Sequence, residues 1–559
     1  MIKNRVESQL QQALEKAGYK GFSVELVSPS RPELGDYATP VALQIAKKEK
    51  KNPMEVAKQI VDAVGNDGIA SYTIAKPGFI NVVVNADQKL SLLQQIKDNT
   101  FSIEDFNLGK NKKIMVEFAH PNTHKAFHIG HLRNITTGEA IARILQASGV
   151  KVVRANYQGD VGMHIAKALW GLQHTSKPKP KSIKERPSFL GKAYAKGAQA
   201  YEKDEKAKNE IQEINKQIYT KENEKINKLY TTTRQWSLDY FNNIYKRVDT
   251  KFDRLYFESE CFEGGKKYVL EGLKKGIFEK SEGAVIFPGE KYGLHNRVFL
   301  TSMGVVPYEG KDMELVKLQI NEYHPDLILH VLGPEQLGYT SVLFKAQEML
   351  FPETKGKQLH LPYGWVRLKK GKMSSREGNV VLGEDLLDEA RNQIIKLYNS
   401  PEEAAERIAI AAVKYYFLRV SRQQDVAFDF EESLSLNGNS GPYLLYTYVR
   451  CKGVLKKHDG KIATPKHVKN LTKEESDMLS LLLHYGEVVH DAAQNFAPNY
   501  ICTYLYDLAQ KYNVFYQKHS ILTCKDEDVK QLRLALTQAV SIVLENGLNL
   551  LGIKTVEKM

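Results

Sequence analysis

The sequence predicts a multidomain chain: a small α+β domain at the N-terminus, an α/β domain built on a parallel sheet, and an all-α C-terminal region. Three observations carry this. Strand-like and helical runs alternate from about Lys112 to Leu382, the pattern of a parallel sheet covered by helices. Two short strand-like runs stand among helical segments in residues 1–105. Beyond about residue 386 the periodicity is helical to the end. At roughly 100–200 residues per domain, 559 residues make three or four domains.

In the N-terminal domain, residues 1–105, a first helix is expected over Val6–Ala17. A second run, Tyr37–Lys48, ends before Asn52-Pro53, where Pro53 can open a third helix. Tyr72–Ala75 and Phe79–Val84 read as strands separated by Pro77-Gly78. The sheet domain, residues 110–385, opens with a β-prone run Ile114–Ala119, a helix Ile129–Ser148 and a second β-prone run Val150–Asn156. Residues 175–250 interrupt it. A basic linker, SKPKPKSIKERPS, leads into a stretch rich in Lys, Glu, Asn and Gln, which predicts a solvated helical hairpin, with an RNA-touching surface as the sharper alternative. The α/β pattern resumes at Gly283–Phe287. A stem over residues 386–435 follows, where Ser400-Pro401-Glu402-Glu403 predicts a helix start with Ser as N-cap. The last part, residues 436–559, carries many tyrosines at helical spacing, most of them read as core.

Hydrophobic residues at 42% and charged residues at 26% describe an ordinary globular chain rather than a disordered one. Lysine plus arginine is 79 against 66 acidic residues, and the net charge of +13 favours a polyanionic partner such as nucleic acid. The cysteines Cys261, Cys451, Cys502 and Cys524 form no C-x-x-C pair, so no zinc site is expected, and their scatter suggests a reducing compartment. The N-terminal segment has no apolar signal core and no apolar run is long enough to span a bilayer. A cytoplasmic protein without membrane partners is expected.

Two segments point to phosphate chemistry. HPNTHKAFHIGHLRN, His120–Asn134, joins a strand to a helix start, where unpaired N–H groups and the helix dipole favour anions. Gly130 lets a ring or phosphate approach the backbone, and His128 and His131, three apart, face one side. Two imidazoles there can donate to phosphate oxygens during displacement. Taken alone, the pair suits a structural or metal role as well. LKKGKMSSREGNVVL, Leu368–Leu382, is a glycine- and serine-bearing loop whose Lys372 and Arg376 can close over a triphosphate, or form an ordinary basic surface loop.

Together these strings resemble the HIGH and KMSK signatures of class I aminoacyl-tRNA synthetases, and VEFAHPNTHK resembles the arginine-specific version. The KMSK string departs from its pattern at Ser375; Lys125 matches a family lysine thought to hold ATP phosphates and proposed to compensate. The resemblance implies a Rossmann-type catalytic domain in which Glu117, Tyr308 and Asp312 hold the arginine guanidinium, while Asn122 and Gln336 hold the α-amino end. The chemistry agrees: a planar cation with five N–H donors is well held by two carboxylates and a phenol. Asp160 and His164, in GDVGMHIAKALWG, are expected to line the site. The C-terminal strings GPYLLYTYVR and PNYICTYLYDLAQKYNVFYQKHSIL resemble the family's helical anticodon-binding domain, with Tyr446 and Arg450 at RNA-facing positions. The N-terminal strings GDYATPVALQIAKK and AKPGFINVVV resemble its additional tRNA-binding domain, with Phe79 and Asn81 at a pair that reads the tRNA elbow, although Phe79 also suits a core. The implied partners are arginine, its tRNA and ATP with Mg2+; zinc is not expected, and a monomer is. The alternatives are another class I synthetase such as a cysteinyl enzyme, which needs a zinc site, and a catalytically silent synthetase-like RNA-binding protein.

Overall fold

A computed structural model describes residues 2–559 except 30, 66–67, 99–108, 110, 177, 370–380 and 469. Two compact units emerge. One comprises Met1–Asp105, Thr447–Glu487 and Tyr504–Glu545; the other comprises Phe106–Tyr446, Val488–Thr503 and Asn546–Met559.

In the first unit, the strands Tyr37–Thr39, Phe79–Val84 and Ala70–Ala75 form an antiparallel sheet with Phe79–Val84 in the middle. The expected single run Tyr37–Lys48 is therefore two elements. Tyr37–Thr39 is a strand, and the helix Val41–Glu49 begins only after Pro40, which stands at its N-cap. Asn52 caps the next helix by accepting from Met54 N, with Pro53 in the first position. Lys89 and Asp36 form a buried ion pair at 2.7 Å.

The second unit is built on a five-stranded sheet, all parallel. Its spatial order is Gln358–Pro362, Leu327–Leu332, Lys113–Glu117, Lys151–Gln158 and Arg254–Phe257. The chain lays down Lys113–Glu117, builds outward on one side, then returns to the other side with Leu327–Leu332. That reversal opens a crevice at the carboxyl ends of the two central strands, where ligands bind in open α/β sheets. The helix Ile129–Ala147 follows the first of them and is buried along most of its length. An aromatic core of Tyr256, Phe278, Phe287 and Phe299 with Met115 and Met313 packs on the sheet.

Three expectations are corrected here. Residues 175–250 form three helices, Arg186–Lys203, Glu205–Thr220 and Glu224–Arg247, not a solvated hairpin. Ile211, Ile214, Ile218 and Ile226 make a buried stripe against Ile165 and Leu169 of the helix Met163–Gln173, so helical spacing of sparse isoleucines outweighed the polar composition. Gly283–Phe287 does not resume the parallel sheet. Ala284–Phe287 pairs antiparallel with Glu279–Ser281 and Arg297–Leu300, because Glu282 and Gly283, at φ of 49° and 81°, make a two-residue reversal too short for a crossover. At Ser400-Pro401, Pro401 itself is the N-cap of the helix Glu402–Leu418, and the Ser400 hydroxyl is buried without a partner.

Among the described residues, no helix is long and apolar enough to cross a membrane. All four cysteines are free.

Candidate active site

Glu117 ends its strand and His330 is its register partner on the next strand, so both side chains reach the crevice together. His330 Nδ1 lies 3.1 Å from Glu117 Oε1, and Gln319 Nε2 donates to Glu117 Oε2. Burial opposes ionisation of Glu117, but His330 and the Gln319 bond outweigh it and hold the carboxyl below its ordinary value. Burial likewise opposes the His330 cation, and Glu117 outweighs it, raising the imidazole.

These groups wall a cavity of about 110 Å³ together with Asp312, Gln336, Tyr157 and Tyr339. Tyr339 donates to Asp312 Oδ2 at 2.6 Å. Burial, then the charges of Glu117 and Glu258, push the Asp312 carboxyl up to about 7. Asp312 Oδ1, Gln319 Oε1, His120 Nε2 and the Tyr157 hydroxyl are buried there with no hydrogen-bond partner. Buried polar atoms are normally paired, so four orphans around one cavity, two of them acceptor-only oxygens, mark a place for a polar ligand that brings donors.

Of the five residues expected to hold an amino acid, Glu117, Asp312 and Gln336 line this cavity. Tyr308 opens the helix Tyr308–Tyr323 one turn before Asp312 and is half exposed. Asn122 sits against Gly159, where a Cβ would meet its Oδ1 at 2.1 Å and a Glu258 oxygen at 2.9 Å. A buried ion pair between Lys311 and Glu258, 2.5 Å, spans the same region. Neither residue was singled out from sequence, because one lysine beside Asp312 and one glutamate at a helix start carry no local signal.

The turn before the helix Ile129–Ala147 is strained. Ala119, His120 and His124 have φ of 79°, 48° and 61°, a region non-glycine residues seldom enter. Asn134 fixes it by accepting from Ala119 N at 2.6 Å and donating to Val331 O at 2.8 Å. The inserted helix Glu224–Arg247 braces it too: Ser237 accepts from His124 N at 2.9 Å, and Thr233 contacts His124 Nε2 at 2.7 Å. Asp160 is fully buried and engaged by Arg234, Tyr230 and Ser259, a bracing role. His164 keeps a buried, unpaired Nε2, and burial lowers its imidazole to about 3.

The helix start differs from expectation in one respect. Its first N–H groups are already taken: Ile129 N bonds Val381 O at 3.0 Å, and Gly130 N and His131 N bond His128 Nδ1 at 3.1 and 3.4 Å. The ring that Gly130 admits is that of His128 itself. Phosphate contact therefore falls to the imidazoles and to Lys125, whose side chain reaches solvent while the protein packed around it partly desolvates the ammonium and lowers it. Lys372 and Arg376 lie outside the described residues.

The expected RNA contacts are spread over both units. Phe79 is half-buried and Asn81 buried in the middle strand of the N-terminal sheet. Tyr446 is 37% exposed on the helix Gly441–Lys456, and Arg450, one turn on, donates to Asn513.

Comparison with known proteins bears on all of this. Residues 93–430 match the family model for the catalytic domain of "tRNA synthetases class I (R)". Residues 444–559 match the DALR anticodon binding domain, and residues 4–84 the arginyl tRNA synthetase N-terminal domain. An arginine–tRNA ligase of Treponema denticola is 33% identical, covering 96% of this chain and 95% of its own. One from Porphyromonas gingivalis is 30% identical, covering 95% of each. The solved arginyl-tRNA synthetase of Thermus thermophilus superposes with a TM-score of 0.83 at 25% identity over 100% of both chains.

Proposed function

The chain belongs to the arginyl-tRNA synthetase family of class I, and from that premise we propose how its residues divide the work of an arginine–tRNA ligase. The arginine carboxylate attacks the α-phosphorus of ATP and pyrophosphate leaves, giving arginyl-adenylate. The terminal ribose hydroxyl of the tRNA then attacks the activated carbonyl and AMP leaves. One observation carries the substrate assignment: two carboxylates, Glu117 and Asp312, face one small cavity at the sheet's switch point beside orphaned acceptors. A guanidinium brings donors and a charge that both carboxylates lack.

In this reading Glu117 and Asp312 take the guanidinium and Tyr308 closes on it from the head of its helix. Asn122 and Gln336 orient the α-amino end. His128 and His131 donate to the phosphates, Lys125 balances their charge, and Lys372 and Arg376 add theirs. Mg2+ supplies charge neutralisation on the triphosphate. Around the helix start the side chains are His128, His131 and Lys125, and Glu258 is engaged by Lys311, a donor set suited to phosphate, so the ion would arrive with ATP. Tyr446 and Arg450 would meet the anticodon loop, and Phe79 and Asn81 the tRNA elbow; action as a cytoplasmic monomer completes the proposal.

The test is ATP–pyrophosphate exchange with each of the twenty amino acids, with and without arginine tRNA. Exchange with arginine alone among them, dependent on the tRNA, is expected. Exchange driven by a different amino acid would overturn the assignment.

A further inference from the structure

The cavity contains a side chain to which the arginine reading gives no role. Gln319 lies on the helix Tyr308–Tyr323, two turns beyond Asp312 and on the same face, fully buried against the cavity. Its Nε2 donates to Glu117 Oε2. The reverse orientation would set an amide oxygen against a carboxylate, so the charge on Glu117 decides which end of the amide points where. Gln319 Oε1 is left as a buried acceptor with no donor upon it, the condition of Asp312 Oδ1 as well. On the far side of Glu117, His330 Nδ1 holds Oε1 at 3.1 Å. Each Glu117 oxygen thus carries one protein donor and keeps lone-pair capacity for a ligand.

The orphaned acceptors discriminate between cations. A guanidinium presents five N–H groups in a rigid planar fork, whereas an ammonium presents three around a point charge. The guanidinium donors are spread over three nitrogens, so one serving two carboxylates still has an N–H at another edge for a neutral oxygen. The three donors of an ammonium radiate from one nitrogen and do not reach acceptors set around a planar fork, and a site built to pair a polar group rejects the analogue that cannot.

We propose that Gln319 is a specificity-determining residue for arginine: its Nε2 pins the Glu117 carboxylate, and its Oε1 accepts a guanidinium N–H. The inference rests on the reading of this cavity as the guanidinium site. Its test compares Gln319→Met and Gln319→Leu with the unaltered full-length enzyme, each first checked by thermal melting. Steady-state aminoacylation is measured against arginine and, separately, against ATP. For either folded variant, KM for arginine should rise about tenfold or more while kcat changes less than about threefold and KM for ATP stays put. An arginine KM within about twofold of the unaltered enzyme would overturn the proposal, as would parallel losses for both substrates, which a merely structural role produces. Glu117→Gln separates the two levels. If it leaves the arginine KM unchanged, the cavity is not the guanidinium site and both readings fall. If it raises that KM and the Gln319 variants do not, only the role of Gln319 falls.

Discussion

His128 and His131 exchange hydrogen bonds across the start of one helix: His128 Nδ1 accepts from His131 N at 3.4 Å, and His131 Nδ1 accepts from His128 N at 3.2 Å. Their rings stack with centroids 3.7 Å apart. Burial, with Lys125 adding to it, lowers both imidazoles below their ordinary value, so both are neutral at pH 7. With Nδ1 accepting, each ring carries its proton on Nε2, ready to donate outward.

The two jobs of His128 separate by substitution. Asparagine also caps helices, so His128→Asn should keep the melting temperature while lowering the adenylate-formation rate about 10²–10³-fold, as loss of a transition-state donor does. His128→Ala should lose the rate and also about 0.5–2 kcal/mol of stability. A wild-type single-turnover rate in His128→Asn would reduce the imidazole to a cap.

Asp312 makes arginine binding sensitive to pH. Its carboxyl, pushed up to about 7 in the empty cavity, must be ionised to pair with a guanidinium. The arginine KM should therefore rise as pH falls below 7, approaching about tenfold per unit, and level off above 8. Asp312→Asn should show a higher and flatter KM profile. Stability moves the other way. Between the ordinary carboxyl value and 7 the folded state keeps a proton that the unfolded state has lost, so this group lowers stability as pH rises through that window. Arginine should restore it, read as a larger melting shift at pH 8 than at pH 6.

Lys372→Ala should slow adenylate formation and leave arginine affinity nearly unchanged, because a lysine acting on developing phosphate charge appears in kcat rather than in ground-state binding. Stopped-flow measurement alongside Lys125→Ala assigns the role. An unchanged rate in Lys372→Ala would move it to Lys125 or Arg376.

Much of this was legible before any coordinates. The strand–helix–strand opening and the turn carrying Lys125, His128 and His131 rest on local signals, namely hydrophobic period and an unusual string. What was not legible depends on contacts distant in sequence. Gln319 and His330 matter only because the sheet order brings them to Glu117, 202 and 213 residues away. The inserted helices looked solvated because their buried stripe is four isoleucines among many charges, and the antiparallel pairing of Ala284–Phe287 follows from a two-residue turn that the apolar run alone does not reveal.

The central claim is that Asp312 meets the guanidinium, and one comparison tests it. Glu314, two residues on, lies against Gly264 of the neighbouring helix and is absent from the cavity wall. Steady-state aminoacylation against arginine at pH 8 is measured for Asp312→Ala and Glu314→Ala. Removing one partner of a desolvated ion pair costs about 3–5 kcal/mol, so Asp312→Ala should lose on the order of two to four decades in kcat/KM for arginine. Glu314→Ala should cost under about 1 kcal/mol, and ATP affinity should change little in either. Comparable losses in the two variants would contradict the account.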